Sequence, residues 1–301
     1  MFENLFSTQG LSLDRLKNFL AFADHNSIVA AAGGDIVRQS LISRQIRELS
    51  EFFGVELVKR HGRGLALTDA GRQLATITRE QFGALSDFSR NAKSLPSILK
   101  IAAANSIAIW QIIPKLPEIR RQLPHHQLIL QHEQTAAIIR GVAEGIFDIG
   151  FVRDTPLPST LKRKSLGGAG FALFVPKAMA SRYNAADATA WMRLPLALPI
   201  GGTLRETVDK IALKHGIALS PALTCDSYVQ ASAAVGSGAV AAILPVIAAQ
   251  SLLPRGAQMI HLPELGTKSP KTLMIWNQRA TATRASLATA VEVLPELLAM
   301  E

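Results

Sequence analysis

Apolar residues at Ile42, Ile46, Leu49 and Phe53 fall 4, 3 and 4 apart, a spacing that predicts a helix over roughly residues 39–53 with one buried stripe. Ser40, Ser43, Arg44 and Arg47 project from another face, and Gly54 closes the helix. Upstream, Leu13, Leu16, Phe19, Leu20 and Ala23 predict a helix that Asn26-Ser27 stops, and a short second helix then runs to the turn signal Gly33-Gly34. Downstream, the runs 55–60 and 65–68 flank His61-Gly-Arg-Gly64 and read as a β-hairpin. Helix–turn–helix followed by a hairpin is the winged helix–turn–helix pattern, which makes residues 1–70 a mainly α head.

Residues 69–94 contain no proline and carry Leu74, Ile77, Phe82, Leu85 and Phe88. They predict one long helix, a linker over 71–95 whose stripe needs a partner copy to cover it. From Leu99 the texture changes. Apolar strands at 99–104, 127–131 and 147–152 alternate with helices at 107–122 and 135–145, and the same α/β texture continues through 173–176, 194–198, 204–215, 227–236, 239–244 and 273–276. Such alternation implies a parallel sheet with crossover helices.

Composition narrows the partners. The 301 residues suit about two domains by the usual size prior, and 48% hydrophobic with 18% charged residues excludes a disordered chain. A net charge of +9 favours an anionic partner. The single cysteine, Cys225, excludes an internal disulfide framework and a Cys-rich zinc site. No signal peptide is legible at the N-terminus, and the longest apolar stretch, 238–253, is too short for a bilayer and holds Pro245. The expectation is a soluble, cytoplasmic protein that does not enter the membrane.

A B-DNA major groove admits one α-helix and is read by side chains from its N-terminal part. Gln39, Ser40, Ser43 and Arg44 occupy that part. Gln pairs with adenine and Arg with guanine in bidentate geometry. Arg38 adds a charge at the groove, while Arg47, Lys59, Arg60 and Arg63 suit backbone phosphates. A solvated helix face is the competing account of any one of these residues, and the wing and long helix together favour double-stranded DNA.

Leu16-x-x-Phe19, Ala31-Ala32, Gln39-Ser-x-Ile-Ser43-Arg-Gln-Ile46, Leu49, Gly54, Leu57-x-x-Arg60 and Leu67-Thr68-x-Ala-Gly71 together resemble the N-terminal signature of LysR-type transcriptional regulators. Ile113-Pro114, Leu123-Pro124, Gly145-x-x-Asp148-Ile-Gly150 and Gly236-x-Gly238 with Leu244-Pro245 extend the resemblance through the C-terminal region. Four positions depart from it: Asp35 in place of leucine, Arg38 of serine, Ser50 of glutamate and Val58 of phenylalanine.

The resemblance implies a ligand-responsive transcriptional regulator, not an enzyme, working as a homodimer or homotetramer, with RNA polymerase as a further partner. It implies an effector domain over 96–301, built like a type 2 periplasmic binding protein. Subdomain I would span 96–165 and 270–301, subdomain II 166–269, with a small-molecule effector in the cleft between them. Ligands in such sheets meet strand carboxyl ends and helix N-termini. Asn105, Ser106 and Thr135 in the first subdomain and Gly202 with Thr203 in the second fit that description, though the same residue types also serve as plain helix caps. Arg153 could pair with a carboxylate or stand as a surface arginine.

No catalytic residues, metal ligands or cofactor motifs are legible. His125, His126 and His132 do not cluster, since neighbours on a strand point oppositely. The nucleophile-elbow, phosphate-loop and dinucleotide motifs are all missing. The alternative, an α/β solute-binding protein or enzyme using the same cleft, leaves the winged head without a purpose. Finally, residues 1–70 hold eight basic and eight acidic residues, so the whole +9 lies beyond the head. DNA recognition then rests on where six basic side chains from Arg38 to Arg63 point, and the basic effector domain permits an anionic effector.

Overall fold

The computed structural model describes residues 5, 10–62, 64–168, 170–180, 183, 187–265 and 271–300. The head opens with α1 (Leu13–His25), N-capped by the Ser12 hydroxyl and ended by Asn26 in the left-handed region. α2 (Ile28–Ala31) follows, capped by Ser27. α3 runs Ile36–Phe53, so it begins three residues earlier than the apolar spacing suggests. The reason is Asp35: its carboxylate accepts a 3.1 Å hydrogen bond from the Arg38 N–H and caps the helix there. Ser50, another departure from the family pattern, donates its hydroxyl to the Ile46 carbonyl and accepts from the Leu57 N–H. Val58 packs half-buried against the head core of Phe19, Phe22, Ile42, Ile46, Leu49 and Leu57.

The wing is β1 (Val58–His61) paired antiparallel with β2 (Gly64–Leu67). α4 (Asp69–Ala92) then leaves the head as one 24-residue helix. Its start is fixed by Thr68, whose hydroxyl donates to Glu56 O and accepts from Gly71 N. A Cβ at Gly71 would collide with the Leu57 carbonyl, so only glycine lets the helix begin against the wing.

Two five-stranded sheets follow. The first has the order β4 (His126–His132), β3 (Ser97–Ala103), β5 (Ile149–Arg153), β12 (Lys271–Asn277) and β6 (Leu161–Gly168). Between β3 and β4 the chain is helical with changing winding, from α5 (Asn105–Ile107) through π and 3-10 turns to α6 (Leu116–Gln122). α7 (Thr135–Ala143) joins β4 to β5. A Cβ at Gly150 would meet Ile138 Cγ2 at 2.5 Å, so this glycine lets α7 seat directly on the sheet.

The second sheet has the order β11 (Gln258–Ile260), β7 (Phe171–Val175), β10 (Ala241–Pro245), β8 (Leu196–Pro199) and β9 (Leu223–Cys225). Its helices are α8 (Lys177–Ala180), α9 (Thr203–Lys214), α10 (Tyr228–Gly236) and α11 (Ala249–Leu252). With β12 the chain returns to the first sheet, and it then adds α12 (Gln278–Thr283) and α13 (Ala285–Leu298).

Neither sheet is wholly parallel, contrary to the expectation from alternating elements. β3 pairs parallel with β4 and β5, but β12 runs antiparallel to both β5 and β6. In the second sheet β7 is antiparallel to β10 and β11. The strands that run against the rest are β12 and β7, each the first strand after the chain passes from one lobe to the other.

Candidate functional site: a polar helix face and an inter-lobe cleft

On α3, Ile42, Ile46 and Leu49 are buried, and Ser40, Arg44 and Arg47, spaced 4 and 3 apart, stand exposed on another face. Arg38 is also exposed, in the first turn. Gln39 and Ser43 are half-buried, and the Gln39 amide donates to the Gly34 carbonyl at 3.2 Å. Arg44 lies 3.5 Å from Glu48, whose other oxygen holds Arg15 of α1 at 2.7 Å. Arg60 is exposed on β1; Arg63 lies outside the described residues. Ile36 and Val37 are exposed beside Arg38, in the turn that the Asp35 cap adds to the helix.

Between the lobes lies a cavity of about 410 Å³. Asn105, Ser106, Thr135 and Arg153 all line it. Gly202 and Thr203 do not: they sit exposed at the start of α9, outside its wall. Arg153 is no mere surface arginine. It ends β5 of the first lobe, and its guanidinium carbon lies 5.6 Å from the Phe171 ring centre and 5.8 Å from that of Tyr228, both in the second lobe. Burial pulls the Arg153 pKa below its usual value, and burial pushes the Tyr228 phenol up against the opposing pull of Arg153. Phe171 and Tyr228 went unnoticed in the sequence because strand and helix aromatics most often read as core. Glu133 and Asp226, also on the wall, follow strands and carry no motif.

A second recess, about 490 Å³, lies where α1, α4 and the first lobe meet. Its charges are largely engaged with one another. Arg284 reaches Asp87 at 2.9 Å, Asp148 and the Ile98 carbonyl, while Arg79 spans Asp24 and the Glu144 carbonyl.

Among the described residues no group of three or more metal-ligating side chains assembles. His126 lies 3.0 Å from the Ser286 carbonyl and His132 3.3 Å from that of Ala103. Cys225 is buried, and burial pushes its thiol pKa up. No described helix is long and apolar enough to cross a membrane.

A winged helix–turn–helix joined by a long helix to a two-lobed cleft defines a ligand-responsive DNA-binding regulator. Residues 13–72 match the description "Bacterial regulatory helix-turn-helix protein, lysR family" and residues 93–297 match "LysR substrate binding domain", so the chain belongs to the LysR family of transcriptional regulators. It is 25% identical over 291 residues to the HTH-type transcriptional regulator YfeR of Shigella flexneri, covering 94% of this chain and 92% of that one. PtxR of Pseudomonas aeruginosa is 33% identical over 153 residues, 49% of each chain. Among solved structures, a full-length OxyR variant from Pseudomonas aeruginosa superposes with TM-score 0.66 at 18% identity over 97% of this chain and 95% of that one. Full-length CbnR complexed with its target DNA gives TM-score 0.57 at 23% identity over 95% of this chain and 100% of that one. At such identities the likeness is one of fold.

Proposed function

We propose that residues 1–70 bind operator DNA, that 71–95 pair two copies, and that a small effector in the cleft of 96–301 sets the spacing of the heads. α3 enters the major groove with Arg38, Gln39, Ser40, Ser43 and Arg44, while Arg47, Arg60 and Arg63 meet the backbone. The effector contacts Asn105, Ser106, Thr135 and Arg153, and its carboxylate pairs with Arg153. Because Arg153 belongs to one lobe and leans on aromatic rings of the other, a ligand that engages it favours one lobe arrangement over another. A ligand shifts such a balance only through differential affinity.

The observation that carries the proposal is the exposure of Ser40, Arg44 and Arg47 on a helix whose opposite face forms the head's core. Selection of bound sequences from random duplexes by the full chain tests it. Enrichment of two related half-sites separated by whole helical turns is expected; recovery of no preferred sequence would refute it.

A further inference from the structure

Granting that the cleft is the effector site, we infer that its effector carries an ammonium group together with a carboxylate, as an α-amino acid does. The chain's positive excess does not extend to this cavity. Its wall carries one guanidinium, Arg153, one imidazole, His132, and two carboxylates, the half-buried Glu133 and the exposed Asp226. Among the described residues neither Arg153 nor either carboxylate makes an ion pair with another side chain. Elsewhere in the fold, Asp87 and Asp148 share Arg284, and Glu48 holds Arg15.

The placement of Arg153 and the two carboxylates is complementary to a small dipolar ion. Glu133 follows β4 in the first lobe, and Asp226 follows β9 in the second, just before α10. A ligand between the lobes therefore meets one carboxylate from each side. The Arg153 guanidinium carbon lies over the Phe171 and Tyr228 rings, and among the described residues its side-chain N–H groups make no hydrogen bond, which leaves them for a carboxylate.

A simple anion would satisfy Arg153 only by bringing its own charge between two carboxylates, a like-charge repulsion that a ligand carrying a cation as well would replace by attraction. An added ammonium supplies the counter-charge both carboxylates lack. The cavity, about 410 Å³, is in the size range of small-molecule sites.

The test uses the full chain and the twenty standard L-amino acids, screened singly by thermal shift and measured by calorimetry. The tightest is then compared with its des-amino carboxylic acid and its decarboxylated amine. Each truncated compound is expected to bind roughly ten- to a hundredfold more weakly, the size of a lost charge-assisted contact. Glu133→Gln and Asp226→Asn should weaken the amino acid while sparing the des-amino acid, with operator affinity confirming intact folding. If the des-amino acid binds as tightly as its parent, the effector is a plain anion: the inference falls and the cleft survives as the site. If a probe binds but Arg153→Gln leaves its affinity unchanged, the cleft itself is the wrong place. Stabilisation by no amino acid at all also overturns the inference.

Discussion

Arg79 of the linker helix donates to the backbone carbonyl of Glu144 at 2.9 Å, and the same guanidinium pairs with Asp24 of the head at 2.6 Å. Glu144 closes α7, and Thr135 at the other end of α7 lines the inter-lobe cavity. One rigid element of nine residues, about 13 Å at 1.5 Å per residue, thus connects the cleft with the junction of head and linker. Asp24 is half-exposed, so its share is modest. A double-mutant cycle of Arg79→Met with Asp24→Asn, followed by urea unfolding, should return a coupling of about 0.2–1 kcal/mol. A coupling indistinguishable from zero would mean that Arg79 does not tie the head to the first lobe.

Arg284 presents a costlier contact. It is buried and serves Asp87 on α4, Asp148 before β5 and the Ile98 carbonyl, with Ser286 adding a hydroxyl to Asp87. Arg284→Met leaves two shielded carboxylates without their cation and should cost about 3–5 kcal/mol at pH 7. Burial already pushes the Asp148 carboxyl above its ordinary 3.8, against the opposing pull of Arg284. A raised carboxylate pKa means that the folded chain holds the proton longer than the unfolded one, so stability from this group falls as pH rises through the window above 3.8. Without Arg284 that window reaches further up. The cost of the substitution should therefore shrink on acidification from pH 7 toward 5, and a pH-independent cost in denaturant titrations would contradict this account.

Much of this architecture is legible in residue spacing. Ile42, Ile46 and Leu49 locate α3 because burial of a single stripe follows the helical period directly. Thr68 and Gly71 mark the start of α4 because a cap and a close backbone approach each demand a particular residue type. What stayed hidden depends on long-range packing. The early start of α3 needs Asp35 to be seen as a cap, whereas by family pattern it is a lost leucine. β6, with Lys162, Arg163 and Lys164, reads as polar because its run is largely exposed at the edge of its sheet. Arg153 was found by its position after a strand, but its neighbours Phe171 and Tyr228 lie 18 and 75 residues away, and no local signal joins them. Gly202 and Thr203 have the same local texture as Asn105 and Ser106 yet miss the cavity, since a helix start does not reveal which side of a lobe it faces.

The linker helix leaves a stripe uncovered. Ile77, Leu85 and Phe88 are 42, 53 and 74% exposed in one chain, although the helix ends are held in the fold. Apolar side chains on one helix face gain most from a matching copy. Leu85→Glu with Phe88→Glu should leave the single chain folded, since neither side chain is in its core, and should shift sedimentation toward a 32.3 kDa species. Operator affinity should fall with it. An unchanged oligomer would place the contact between copies elsewhere.

Arg44 and Arg60 should fail in different ways. Arg44 projects from α3 with its side chain 67% exposed and only a 3.5 Å contact to Glu48 to hold it, so it is free to turn toward a base edge. A bidentate contact to guanine contributes about 1–3 kcal/mol of discrimination, and Arg44→Ala should lose that much on the preferred operator while losing little on random DNA. Arg60 stands exposed on the wing opposite Leu65, and the role proposed for it is a phosphate contact. Arg60→Ala should weaken all sequences about equally and reduce the steepness of log affinity against log salt by about 0.9, one phosphate's worth of released counterion. Fluorescence anisotropy on matched and scrambled duplexes across a salt series separates the two. If Arg44→Ala flattened the salt dependence and kept the sequence preference, the roles of helix and wing would have to be exchanged.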